Sequence, residues 1–299
     1  MGNLFNLNSN IFKGAKEGKL SSVIFTLLSP VIIIILSSIP VTLIGRAIFS
    51  FVKDIKFIQT YMYQIMLILN TGSAIIICFL IVKFKEKRSI KGMGFGLRKK
   101  AISDYLEGFA LGIIMIGIAW IGIILFGNSL FELQLKNISK ASFIMPFLLM
   151  LLAWIIQGAS EEIMLRGYML PVLGVKVGPK FAICASSLIF SGLHLSNNGI
   201  TPLSIVNLVL FGVFAAFYAI KNENLWGICA LHSSWNFAQQ NIFGTLVSGG
   251  AVYDSSLIST TYLENNLING GTFGPEGGIM VTIVLLVAIT VQILQSRKK

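Results

Sequence analysis

Long uncharged apolar runs, separated by short polar segments, dominate the chain. The first 20 residues are polar, with Lys13, Lys16 and Lys19, and an apolar run then extends from Val23 to Leu36. These flanks resemble a signal peptide, but no small-residue cleavage site follows and Pro30 and Pro40 fall in the run. It is read as an uncleaved first span. Further runs occupy roughly 62–82, 105–127, 143–169, 181–197, 203–220, 225–243 and 279–295. Each is about as long as a helix must be to cross a ~30 Å hydrocarbon core. The pattern predicts an all-α, polytopic membrane protein, a bundle of about eight transmembrane helices forming one integral membrane domain over 1–299. The runs at 181–197 and 203–220 are the shortest, and a run of that length also suits a buried or re-entrant segment.

Composition agrees. Of the 299 residues, 55% are hydrophobic and 12% charged, about half the charge of a soluble protein. The net charge of +11 raises the question of nucleic acid, but eight of the 23 Lys and Arg fall between residues 83 and 100, in one segment between apolar runs. Such clusters belong on cytoplasmic loops, where they attract anionic lipid, so the expected partner is the bilayer and not nucleic acid. With the N-terminus inside, eight spans place 18 Lys and Arg on inside segments and 5 outside, in accord with the positive-inside rule. Both termini are therefore expected in the cytoplasm. Cys78, Cys184 and Cys229 all lie in apolar runs and give neither a disulfide framework nor a CxxC metal signature. The excess of Lys over Arg, 18 to 5, and abundant Ile point to an AT-rich bacterial source. One long outside segment, 244–278, carries Asp254, Glu264 and Glu276, eight glycines and no base. Loops of that length are functional or disordered; a lid is one reading, and a plain flexible connection is the favoured one.

The chemistry gathers in three spans. The uncharged stretch 143–156 ends in Gln157-Gly158-Ala159-Ser160-Glu161-Glu162, with Arg166 four residues further on. Glu162 and Arg166 have the helical spacing of an ion pair, while Glu161 is turned about 100° away and free to face something else. Both histidines of the chain fall in predicted spans: His194 four residues after Phe190, and His232 four residues before Asn236. Ionisable groups in a bilayer turn toward each other and the bundle interior, so these spans are expected to meet around one polar cavity. Glu161, His194, His232 and Asn236 supply what acyl hydrolysis needs, a base for water and donors for an oxyanion. Ser160, Ser191, Ser233 and Ser234 lie nearby, but no GxSxG elbow or Ser-Lys dyad accompanies them. The HExxH zinc signature is absent, although two histidines and a carboxylate can still hold a divalent metal.

Glu161-Glu162-x-x-x-Arg166, Phe190-x-x-x-His194 and His232-x-x-x-Asn236, in that order on successive spans, resemble the three motifs of the CAAX protease and bacteriocin-processing (Abi, CPBP) family. The resemblance is strong over residues 157–240 and marks 143–243 as the catalytic core helices. It implies an intramembrane endopeptidase in which Glu161 and His194 activate water, and His232 and Asn236 form the oxyanion site. Glu162, Arg166 and Phe190 are then supporting residues. No cofactor is expected, because Asn is a poor zinc ligand and HExxH is missing; the alternative is zinc held by Glu161, His194 and His232. The implied substrate is a small membrane-bound or lipidated peptide, in pheromone or bacteriocin maturation or self-immunity, with a membrane sensor kinase or peptide exporter as further partner. The rival classes are a non-catalytic immunity or scaffold protein and, third, a proton-coupled transporter, which lacks the inverted repeats of that class.

The predicted spans also create a conflict of depth. If span 4 ends inside at residue 169, Glu161 lies near the inner boundary, whereas His194, 13 residues into span 5, lies ~20 Å above it. A shared water then needs a short, tilted or deeply starting span 5. The topology itself is testable: reporters fused at Lys299 and within 244–278 are expected on opposite sides of the membrane, and a same-side result overturns the eight-span layout.

Overall fold

The computed structural model describes residues 2–52, 56–96, 100–134, 138–250 and 255–297. Asp254, part of the basic cluster (Arg98 and Lys99) and the last two lysines lie outside the described residues. The architecture is an all-α bundle of a polytopic membrane protein. Six helical runs among the described residues are long and apolar enough to span a bilayer: Val23–Ala47, Tyr61–Lys85, Ala101–Phe126, Ala141–Val177, Pro202–Asn222 and Ile279–Arg297. In chain order the helices are α1 (Asn10–Lys16), α2 (Val23–Val52), α3 (Lys56–Leu80), α4 (Ala101–Phe126), α5 (Ala141–Glu162), α6 (Leu170–Val177), α7 (Pro179–Gly192), α8 (Pro202–Asn222), α9 (Trp226–Phe237) and α10 (Ile279–Arg297). Two of the eight predicted spans are thus shorter than expected. Helix α7 has 14 residues and α9 has 12, extended by a π turn over Ala238–Ile242. The segment 203–220, also expected to be marginal, is a full span.

Side-chain and backbone contacts group the helix ends into two sets. At one end Ser9 hydroxyl donates to the Ile220 carbonyl, Lys221 meets Gln295, Lys19 amide reaches the Glu86 carbonyl, and Asn224 donates to Asp104. Residues near both chain ends gather there. At the other end Asn266 and Asn269 donate to the Gly127 carbonyl, and Asn197 donates to the Ser248 carbonyl. Arg88, counted above in the basic cluster, is buried in an ion pair with Glu86 at 2.6 Å.

The segment 244–278 is not the flexible connection expected of it. Its described part pairs β2 (Ile258–Tyr262) with β1 (Ser129–Leu133) in antiparallel register, Phe131 opposite Thr260. Short 3-10 turns at Gly271–Phe273 and Pro275–Gly277 fold the rest against the bundle, and Phe273 is fully buried. Glycines expected to loosen the loop instead permit its left-handed turns, as at Gly270 and Gly274 (φ +78° and +90°).

Helix α9 is the axis of the fold. Every residue from Gly227 to Asn241 is buried, with α4 on one side and α5 on another. Small residues allow both approaches. A Cβ on Gly108 or Gly112 of α4 would lie 2.0 Å from the Gly227 carbonyl oxygen and 2.1 Å from Ser234 Oγ, respectively. On α5, a Cβ at Gly158 would stand 2.6 Å from the Ser233 amide. By contrast α2, α4 and α10 present Ile, Leu, Val and Phe outward, among them Leu43, Ile118 and Leu286, as helices facing acyl chains do. Gly112→Val is expected to lower the detergent melting temperature, the overpacking costing ~1–3 kcal/mol or more, whereas Ile118→Val on the exposed face should leave it unchanged within error; equal melting curves for parent and Gly112→Val would contradict the close α4–α9 contact.

Candidate active site

Helix α5 does not stop at Glu162. It continues through a π-helical turn, Ile163–Met169, into α6, making one helical run of 37 residues that is buried from Glu162 to Gly174. Its end is Gly178 (φ +113°), where the chain reverses into α7. Gly178 stands 17 residues after Glu161 and 16 before His194. The two arms of this helical hairpin are therefore nearly equal, and they bring Glu161 and His194 to the same height. The conflict of depth came from ending span 4 eight residues too early.

Glu161, His194, His232 and Asn236 all line one cavity of about 510 Å³, together with Gln157 and Phe190. The buried foundation beneath it is Glu162. Its Oε1 accepts from Arg166 Nη1 at 2.9 Å, the expected pairing, and also lies 2.8 Å from His232 Nδ1. Glu162 and Arg166 are completely buried. Arg166 Nη2 donates to the Gly212 carbonyl of α8, and its guanidinium lies 5.0 Å above the Phe190 ring. Glu162 is thus more than a helix-fixing partner: it orients a histidine on another helix. A carboxylate only accepts when ionised, so His232 donates from Nδ1 and turns Nε2 to the other side.

On that side stands Glu161. Its Oε2 is 3.8 Å from His232 Nε2 and has no hydrogen-bond partner among the described residues. The expectation that Glu161 has no partner at all is corrected by Gln157, one helical turn earlier, whose Nε2 donates to Glu161 Oε1 at 2.6 Å. Gln157 Oε1 in turn accepts from Asn236 Nδ2 at 2.8 Å. One amide therefore ties the carboxylate of α5 to the asparagine of α9. Sequence reasoning passed over Gln157, although the same i,i+4 spacing that singled out Glu162 and Arg166 marks it.

His194 lies just past α7 and is partly exposed to the cavity. Its Nδ1 is 2.8 Å from the Phe190 carbonyl oxygen, an acceptor only, so Nδ1 carries the hydrogen and Nε2 is the nitrogen left to act as acceptor. Phe190 sits between the histidines, its ring centroid 4.9 Å from that of His194 and 5.9 Å from that of His232. Phe211 of α8 packs against His232 at 4.8 Å. Aromatic rings thus pack against both imidazoles. The three residues considered for zinc do not converge as a ligand set: no group of three His, Cys, Asp or Glu that could hold a metal occurs among the described residues. His232 Nδ1 is committed to Glu162, so Nε2 is the nitrogen that faces Glu161.

The segment that carries these residues is also the one that a comparison with protein families picks out. Residues 143–238, about a third of the chain and all of the site, match the family described as type II CAAX prenyl endopeptidase Rce1-like. The chain carries a domain of this family, which is a protease family. No curated protein matches the chain.

Glu162→Gln is expected to cost stability, since Arg166 then keeps a buried charge whose partner is gone, at ~3–5 kcal/mol for such a break. Glu161→Gln, next to the cavity and still able to bond Gln157, should shift the melting temperature little. Equal melting temperatures for the two variants would count against this division.

Proposed function

We propose that the chain is an intramembrane endopeptidase that cleaves a small membrane-bound or lipidated peptide, with 143–243 as its catalytic core and both termini in the cytoplasm. The observation that carries this reading is the placement of Glu161, His194, His232 and Asn236 on one cavity, with Gln157 linking the first to the last. In the proposed reaction a water held between Glu161 and His194 Nε2 attacks the peptide carbonyl carbon. Its proton passes to Glu161. The carbonyl oxygen becomes an oxyanion facing Asn236 and His232. Asn236 Nδ2 has two hydrogens and gives one to Gln157, so the other remains for the oxyanion. A His232 ring protonated on both nitrogens gives Nδ1–H to Glu162 and keeps Nε2–H for the same oxygen. Collapse breaks the C–N bond, and Glu161 returns its proton to the leaving amine.

The supporting shell follows the same logic. Glu162 fixes the His232 tautomer, Arg166 balances Glu162, and Phe190 holds both rings. Maturation of a peptide pheromone or bacteriocin, or self-immunity, is the biological setting we favour. Comparison of membrane and medium peptides from wild type and Glu161→Ala tests the activity. A processed peptide lost in the variant identifies the substrate, while identical peptide profiles would refute the reading.

Asn236→Ala tests the roles. Removing one oxyanion donor is expected to lower turnover by ~10²–10³ with little change in substrate affinity. Elemental analysis of active protein is expected to find no stoichiometric metal. About one zinc per chain, lost together with activity on chelation and restored by zinc, would replace this mechanism by a metal-dependent one.

A further inference from the structure

The cavity wall contains one residue in a conformation that L-amino acids seldom adopt. Ser248, in the segment that follows α9, has φ +45°, in the left-handed region where a side chain crowds the backbone. Such a residue stays there only when its surroundings hold it. All three of its polar groups are held. Its amide and hydroxyl both donate to Glu276 Oε2, at 2.8 and 2.5 Å. Its carbonyl accepts from Asn197 Nδ2 at 2.9 Å, three residues after His194.

Glu276 carries the connection onward. Its other oxygen accepts from Trp235 Nε1 at 3.2 Å, and Trp235 stands between His232 and Asn236 on α9. The Glu276 backbone is fixed independently, because Asn207 of α8 donates to its carbonyl and to that of Gly278, at 2.8 and 2.9 Å. The preceding Val247 is buried against Phe237 and its neighbours. The short rim beginning at Ser248 continues through Gly249 and Gly250 along the cavity, and beyond Ser248 it is held by the Gly249 amide donating to the Phe273 carbonyl and the Gly250 amide to that of Val247, at 2.9 and 2.8 Å.

We propose that Glu276 is a positioning residue for this site: it holds strained Ser248 against Trp235, and so fastens the cavity rim to the helix that carries His232 and Asn236. When Glu276 lets go, Ser248 relaxes toward ordinary backbone geometry and the rim opens for substrate. The inference rests on the cavity being the peptidase site, but its test requires no substrate, so the two fail separately.

Opening is read by thiol modification of detergent-purified protein with a small charged methanethiosulfonate reagent, followed at each cysteine by mass spectrometry. The reporter is Ser37→Cys, on the α2 wall of the cavity, in a Cys184→Ser background because Cys184 is exposed. Buried Cys78 and Cys229 report any general loosening. Glu276→Ala is expected to speed modification of the reporter at least tenfold and to leave Cys78 and Cys229 within twofold. Glu276→Gln, which keeps one acceptor oxygen, should fall between it and the parent. Ser248→Gly tolerates the left-handed geometry and keeps its amide bond to Glu276, so its rate should match the parent. An unchanged reporter in Glu276→Ala, or an equal rise at all three cysteines, overturns the proposal. If Glu276→Ala does not fold, Glu276→Gln decides by the same criterion, with a reporter rise above twofold required.

Discussion

A carboxylate with no exposure to solvent survives only if charge and hydrogen bonds compensate it, and Glu162 obtains both from separate parts of the fold. Arg166, one turn along the same helical run, supplies the charge. His232 on α9 supplies a second donor. Arg166 also reaches the Gly212 carbonyl on α8 and stacks over Phe190 of α7. One buried anion thereby sets the relative position of four helices. None of α7, α8 or α9 could shift far without breaking a contact of this buried pair, in a medium that leaves lost hydrogen bonds uncompensated.

The second organising constraint is geometric. A helical hairpin with arms of 17 and 16 residues about Gly178 puts Glu161 and His194 level. Glycines on α4 and α5 then let α9 approach until Ser233 of α9 hydrogen-bonds the Ile155 carbonyl of α5. The site is assembled by side-chain contacts between helices that enter from different directions. Hence Gln157, which bonds to both α5 and α9 side chains, holds a position that neither helix could fix alone.

Much of this was legible in the chain. Apolar runs gave the all-α membrane class, and the spacing of Glu162 with Arg166 and of Phe190 with His194 foretold contacts that are present. Two short helices were read as full spans because hydropathy registers the absence of charge and not what surrounds a helix: α9 is walled by protein, so its length is not set by the bilayer. The loop 244–278 was misread for a related reason. Its glycines and polar residues signal flexibility in isolation, whereas here they form left-handed turns, satisfy the end of α4 and accept from the Asn207 side chain of α8. The second bond of Glu162, to a histidine 70 residues away, has no local signature at all.

The enclosure of α9 bears on how the protein is made. Between residues 232 and 241 this helix carries a histidine, two serines, two asparagines and two glutamines, a sequence with poor affinity for lipid on its own. Yet every one of those side chains is buried in the finished bundle, which means that α9 has no stable place in the membrane until α4 and α5 are there to receive it. Those two are earlier in the chain and apolar enough to partition unaided. The order of synthesis thus prepares a polar slot before the helix that needs it emerges. A change that loosens α4, far from any reacting group, would act during biogenesis, by leaving the segment that bears His232 and Asn236 stranded at the membrane surface.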